Sequence, residues 1–211
     1  MDLFSNEPDF ASLSYEKIKA LAEKCEKCQL SKGRNKVVFG SGPVPCDLML
    51  IGEAPGADED LKGEPFIGRA GQLLTKILES VGIKRPDDIY IANTVKCRPP
   101  ENRAPLATEQ EACAPYLAAQ IRLVNPKIIL LAGSPAVKAI LKSDAPMTGL
   151  RGQWQKLPSN PEIAVMPIFH PAYLLRNPSK DKGKPKWLTW QDIQEVKNAL
   201  EYFKKVKELA Q

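Results

Sequence analysis

Asp47-Leu-Met-Leu-Ile-Gly-Glu-Ala-Pro-Gly56 holds a short apolar run that ends at Gly52 and passes directly into a turn. An unbroken run of this length fits a strand buried on both faces, the usual form in a parallel sheet covered by helices. Lys127-Ile-Ile-Leu-Leu131 repeats the pattern, and Asp88 to Val95 (DIYIANTV) and Ile163 to Phe169 supply two further strand candidates. Helical signals fall between them. Ser12 to Lys24 carries apolar residues at Leu13, Ile18 and Leu21, and Arg69 to Val81 carries them at Leu73, Leu74, Ile77, Leu78 and Val81 before a stop at Gly82. Thr108-Glu-Gln-Glu111 reads as a capping box for a helix reaching about Val124, Ser134-Pro135 as the start of another, and Trp187 to Leu209 as a closing amphipathic helix. Strands alternating with helices predict an α/β fold with right-handed crossovers and a central parallel sheet covered on both faces.

At 211 residues, with 43% hydrophobic and 26% charged residues, the chain has the size and composition of one globular domain, residues 1–211. No apolar stretch approaches membrane-spanning length, and MDLFSNEPDF lacks the basic and apolar regions of a signal peptide, so a cytoplasmic protein without a membrane partner is expected. The net charge of +5 suits a polyanionic partner without requiring one. Nineteen prolines, several beside Gly, Asn or Arg, suggest ordered loops, since no repeat or low-complexity tract accompanies them.

Ligands of such sheets bind beyond the carboxyl ends of the strands. There the first strand gives Gly52-Glu53-Ala54-Pro55-Gly56, the second gives Asn93 and then Lys96-Cys97-Arg98, and the fourth gives His170, the only histidine. A carboxylate, an amide and an imidazole would meet along one edge. The turn at Gly52 is neither a Walker loop nor a dinucleotide fingerprint, because the Gly-Lys-Ser/Thr and G-x-G-x-x-G spacings are absent. Of Asp58, Glu59 and Asp60, one is expected to matter and the others to be solvated. A fixed amide at Asn93 can accept from a uracil N3–H while donating to O4, a pattern that cytosine reverses. Phe66, inside Gly63-Glu-Pro-Phe-Ile-Gly68, is either core or a stacking platform. Tyr173-Leu-Leu-Arg176 reads as a loop whose Leu174 and Leu175 enter a base stack while Arg176 holds phosphate; Lys180, Lys182, Lys184 and Lys186 follow as a basic rim.

Cys25-x-x-Cys28, with Cys97 and Cys113 far downstream, points to a metal held by distant parts of the chain. Zinc and an iron–sulfur cluster both fit four thiolates. Cys46 has no close partner and reads as a small buried residue.

Together these motifs resemble the type-4 uracil-DNA glycosylases over nearly the whole chain. The match runs through Cys25-x-x-Cys28, Val37-Val-Phe-Gly40, Gly52-Glu-Ala-Pro-Gly56, Gly63-Glu-Pro-Phe-Ile-Gly68, Asn93-Thr-Val-Lys-Cys97-Arg-Pro-Pro100, Cys113 and His170-Pro-Ala-Tyr-Leu-Leu-Arg176. The resemblance implies a three-layer α-β-α sandwich with a central four-stranded parallel sheet. It also implies a [4Fe–4S] cluster on Cys25, Cys28, Cys97 and Cys113, and hydrolytic removal of uracil from single- or double-stranded DNA by a monomer. By position, Gly52, Glu53, Ala54, Asp58, Phe66, Asn93 and His170 would hold the base, with Glu53 and His170 catalytic. Leu174, Leu175 and Arg176 would engage the DNA. The cluster-free uracil glycosylases have an aspartate where this chain has Ala54 and an aromatic residue where it has Gly56. A branch that captures DNA covalently uses an additional histidine that this chain lacks. Two rivals are a glycosylase for hypoxanthine or xanthine and a zinc-stabilised DNA-binding module without catalysis.

Overall fold

The computed structural model describes residues 10–85 and 87–209, so the acidic N-terminal stretch up to Asp9 lies outside the described residues. β1 (Leu48–Gly52), β2 (Tyr90–Asn93), β3 (Ile128–Ala132), β4 (Gln155–Leu157) and β5 (Asn160–Ile168) form one sheet in the order β2-β1-β3-β5-β4. The first four in that order run parallel, matching the four expected strands. The sheet has five strands rather than four, because β4 pairs antiparallel with β5 at the edge. β4 escaped notice because three residues beginning Gln155-Lys156 carry no apolar run.

Every residue of β1 and β3 is buried, and alternate side chains enter opposite layers. Leu48, Leu50, Ile128 and Leu130 pack with α3 (Arg69–Glu79), through Leu74 and Leu78, and with α8 (Pro185–Leu209), through Ile193, Val196 and Leu200. Met49, Ile51, Ile129 and Leu131 pack on the other face with α4 (Ala107–Val124), through Leu117 and Val124, and with α5 (Ser134–Leu141), through Ala136 and Val137. This is the expected three-layer arrangement. α1 (Tyr15–Glu23) sits on α4 through Ile18, Ala22, Tyr116 and Ala119. The cap of α4 lies two residues earlier than the sequence suggested: Glu109, not Glu111, accepts from the Leu106 backbone N–H at 2.8 Å, and Arg103 pairs with the same carboxylate. No helix among the described residues is long and apolar enough to cross a membrane.

Parallel register brings the strand ends together. Gly52 pairs with Asn93, and Ala132 pairs with Ile168, two residues before His170.

Candidate active site

Beyond that edge lies a cavity of about 850 Å³ whose wall includes Glu53, Ala54, Glu59, Phe66, Asn93 and His170. Its size exceeds what one flat base requires and leaves room for attached groups. The three elements expected to converge therefore do so.

Asn93 terminates β2 with 1% of its surface exposed. Its Nδ2 and Oδ1 both lack a hydrogen-bond partner. Buried amides nearly always find partners, so an idle donor and acceptor on a cavity wall call for a ligand with the complementary pair. Gly52 makes this geometry possible. A Cβ there would come within 2.5 Å of Asn93 Oδ1 and 2.6 Å of Phe66 Cζ, so only glycine lets the amide and the ring flank the same slot. Gly52→Ala is accordingly expected to leave the fold intact and to weaken binding of free uracil at least about tenfold, measured by calorimetric titration; undiminished binding would show that the slot is not used.

Phe66 has φ of +54°, a left-handed conformation that costs a non-glycine residue about 1–3 kcal/mol. Arg85 holds it there, donating from Nη1 to the Phe66 carbonyl at 2.8 Å and from Nη2 to the Pro65 carbonyl at 2.9 Å. From the other side the Glu59 carboxylate accepts from the Ile67 and Gly68 backbone N–H groups, both at 2.9 Å. The ring thus stands opposite His170, with centroids 5.9 Å apart.

His170 caps α7 (Pro171–Arg176), its Nδ1 accepting from the Ala172 N–H at 3.1 Å. That bond leaves the imidazole proton on Nε2, where it can be donated into the cavity. Burial, with help from the Arg176 charge and against the pull of Glu59, lowers the imidazole pKa to about 4. The group is neutral at physiological pH. Burial also pushes the Glu53 carboxyl above the usual carboxylate range. The Glu53 backbone is fixed through its carbonyl, which accepts from Thr94 Oγ1 at 2.6 Å and from the Val95 N–H at 3.3 Å.

Two expected site residues stand elsewhere. Asp58 is exposed and absent from the cavity wall; Glu59, its neighbour on α2 (Ala57–Lys62), takes that place, while Asp60 is buried and binds Asn35. Leu174 is fully buried, not a solvent-facing wedge, because Pro171 starts a helical turn that directs it inward. Leu175 is half-buried, and the residues that α7 presents to solvent are Tyr173 and Arg176, one turn apart, both on the cavity wall.

Cys25, Cys28, Cys97 and Cys113 line a second, smaller cavity together with Arg34, Lys96 and Tyr116, and none forms a disulfide. Arg34 ties the group together, donating to the Cys25 carbonyl at 2.7 Å and to Cys97 Sγ at 3.4 Å. Burial pushes the Cys97 thiol up to about 11, and raises Cys113 against the counteracting Lys96 charge. Among the described residues no set of three or more His, Cys, Asp or Glu side chains is gathered as a single metal ion requires. Four thiols around one cavity, with Lys27, Arg34 and Lys96 also on its lining, nevertheless fit an anionic thiolate-bound centre. Cys46 packs elsewhere, against the core beside β1.

Residues 39–194 match the family model of the uracil DNA glycosylase superfamily. The chain belongs to this superfamily. Similar curated proteins assign it to the type-4 group within the superfamily. A type-4 uracil-DNA glycosylase of Thermotoga maritima is 40% identical over 181 residues, covering 83% of this chain and 89% of that protein. One from Sulfurisphaera tokodaii is 42% identical over 177 residues, covering 80% and 79%. A third, from Pyrobaculum aerophilum, is 39% identical over 172 residues, covering 79% and 87%. Sequence reasoning left Glu59 undistinguished from its acidic neighbours, missed the hold of Arg85 on the Phe66 loop, and gave no role to the buried Lys96. Each is a charged residue whose burial or bonding is set by tertiary contacts, which leave no local pattern.

Proposed function

We propose that this chain, acting as one catalytic domain, excises uracil from DNA by hydrolysing the N-glycosidic bond. The observation that carries this reading is the buried, unpartnered Asn93 amide on the cavity wall, whose donor and acceptor match uracil O4 and N3–H. A base inside a duplex cannot reach that amide, so the nucleotide must be flipped out at a cost of a few kcal/mol. Tyr173 and Arg176 are suited to the DNA beside the vacated position, the ring for stacking and the guanidinium for phosphate.

In this reading Phe66 stacks on the flipped base, and the backbone from Gly52 to Ala54 lines its edge. As the bond breaks, negative charge gathers on uracil O2 and positive charge on the sugar. His170, neutral with its proton on Nε2, donates to O2 without giving the proton up. Glu53 is the carboxylate that stabilises the sugar cation or orients the attacking water. Cys25, Cys28, Cys97 and Cys113, which line one cavity, would hold a [4Fe–4S] cluster. That cluster's contribution is structural, joining the segment after α1 to the segment after β2.

The test is incubation with single- and double-stranded oligonucleotides containing one uracil, one hypoxanthine or no lesion, followed by alkaline cleavage. Breaks at uracil alone support the proposal; breaks at hypoxanthine, or none, overturn it. Purified protein is expected to be brown with bound iron, whereas a zinc protein would be colourless.

A further inference from the structure

Lys96 is 2% exposed, yet lysine is almost never buried without a partner. Its Nζ donates to the Asn93 carbonyl at 2.7 Å, and no ion pair among the described residues involves it. Lys96 also lines the small cavity that Cys97 and Cys113 share with Cys25 and Cys28. Four metal-bound thiolates would be a net anionic donor set, and the buried ammonium would share their counter-charge with the Arg34 guanidinium, which donates to Cys97 Sγ. The segment it closes is short and held by backbone bonds at both ends. Lys96 O accepts from the Val38 N–H at 2.8 Å, and Thr94 N donates to the Gly52 carbonyl at 2.9 Å.

We infer that Lys96 is a positioning residue that couples the four-cysteine site to the base-reading amide, so that occupancy of that site sets the affinity for uracil. This rests on the roles proposed above for Asn93 and the cysteines. One lysine lines the thiol cavity and, through its ammonium, grips the peptide carbonyl of Asn93. Loss of the bound centre frees Cys97, the next residue in the chain after Lys96, so the lysine side chain is no longer held against the thiol cavity and the Asn93 carbonyl it grips is released. Asn93 and the Thr94 contact to Glu53 then loosen together.

The test compares the iron-loaded wild type with Lys96→Met, which keeps the length and removes the charge. Iron per chain, affinity for free uracil, affinity for a uracil-free oligonucleotide, and amide exchange at Thr94 and Val95 are measured on both. If the loaded wild type binds no uracil, the site assignment itself fails. If it binds, the expected result for an iron-replete Lys96→Met is at least about a tenfold loss of uracil affinity with faster exchange at both amides and unchanged affinity for uracil-free DNA. Equal uracil affinity in the two proteins would overturn the coupling. Should Lys96→Met fail to fold or retain little iron, wild type is compared before and after iron removal by a chelator. The same tenfold loss and faster exchange, with affinity for uracil-free DNA retained, support the coupling, and uracil affinity that survives iron removal overturns it.

Discussion

Asn93→Leu is expected to melt at a higher temperature than the wild type and to lose uracil excision. The native amide is 1% exposed with neither polar atom paired, and an unpaired buried polar group costs about 1–3 kcal/mol. Leucine has the same number of side-chain heavy atoms, branched at the same carbon, and no polar atom to leave idle. For a chain of this size each kcal/mol recovered raises the melting temperature by about 2–4 °C. Activity moves in the opposite direction, since uracil N3–H and O4 lose their partners on entering the slot. A site built around hydrogen bonds discriminates strongly when they are removed, and a fall of at least about 10²-fold in the single-turnover rate is expected. Thermal melts and single-turnover assays on the same preparation check both halves. A variant that melts lower and excises normally would make the amide a structural group. The opposed signs are informative because a merely damaged fold would lower both quantities.

The strand ends were legible because their chemistry follows from topology. Once β1, β2 and the strand before His170 read as parallel, Gly52, Asn93 and His170 had to share an edge, whatever the loops did. What escaped the sequence depends on facts that no local pattern encodes. Asp58, Glu59 and Asp60 are adjacent and chemically alike; only the phase of a six-residue helix exposes the first, aims the second at the Phe66 loop and buries the third. Tyr173 to Arg176 lies between Pro171 and Pro178, too short a span to show helical periodicity, so the inward turn of Leu174 was invisible. Phe66 offers no signal for a left-handed backbone, because Arg85, nineteen residues away, imposes it. Lys96 is the extreme case: composition assigns lysine to the surface, and only the assembled thiols and the Asn93 carbonyl give it a reason to be buried.

His170→Ala is expected to lower the single-turnover rate by about 10²–10³-fold, the scale of losing one preorganised donor to a developing oxyanion, while affinity for uracil-free DNA stays the same. The argument turns on protonation state. A charged imidazole could protonate the leaving base, but Nδ1 accepts from the Ala172 N–H and burial lowers the pKa from 6.5 to about 4. Catalysis therefore runs with a neutral donor, and the rate should show no limb near pH 6.5. An acidic limb should instead come from Glu53, whose carboxyl burial holds above the usual range, and it should persist in His170→Ala. Stability provides an independent check. Between pH 6.5 and about 4 the unfolded chain binds a proton at His170 that the folded chain refuses, so stability present above that window is lost as pH falls through it. His170→Ala has no such proton to refuse. Denaturant unfolding at pH 7.5 and pH 5 should therefore show the wild type losing more stability than the variant, and imidazole NMR should show no titration near 6.5 in the folded protein. An imidazole that titrates normally, or a variant that excises uracil at the wild-type rate, would remove His170 from the chemistry and leave stabilisation of the departing base to the backbone of the Gly52 turn.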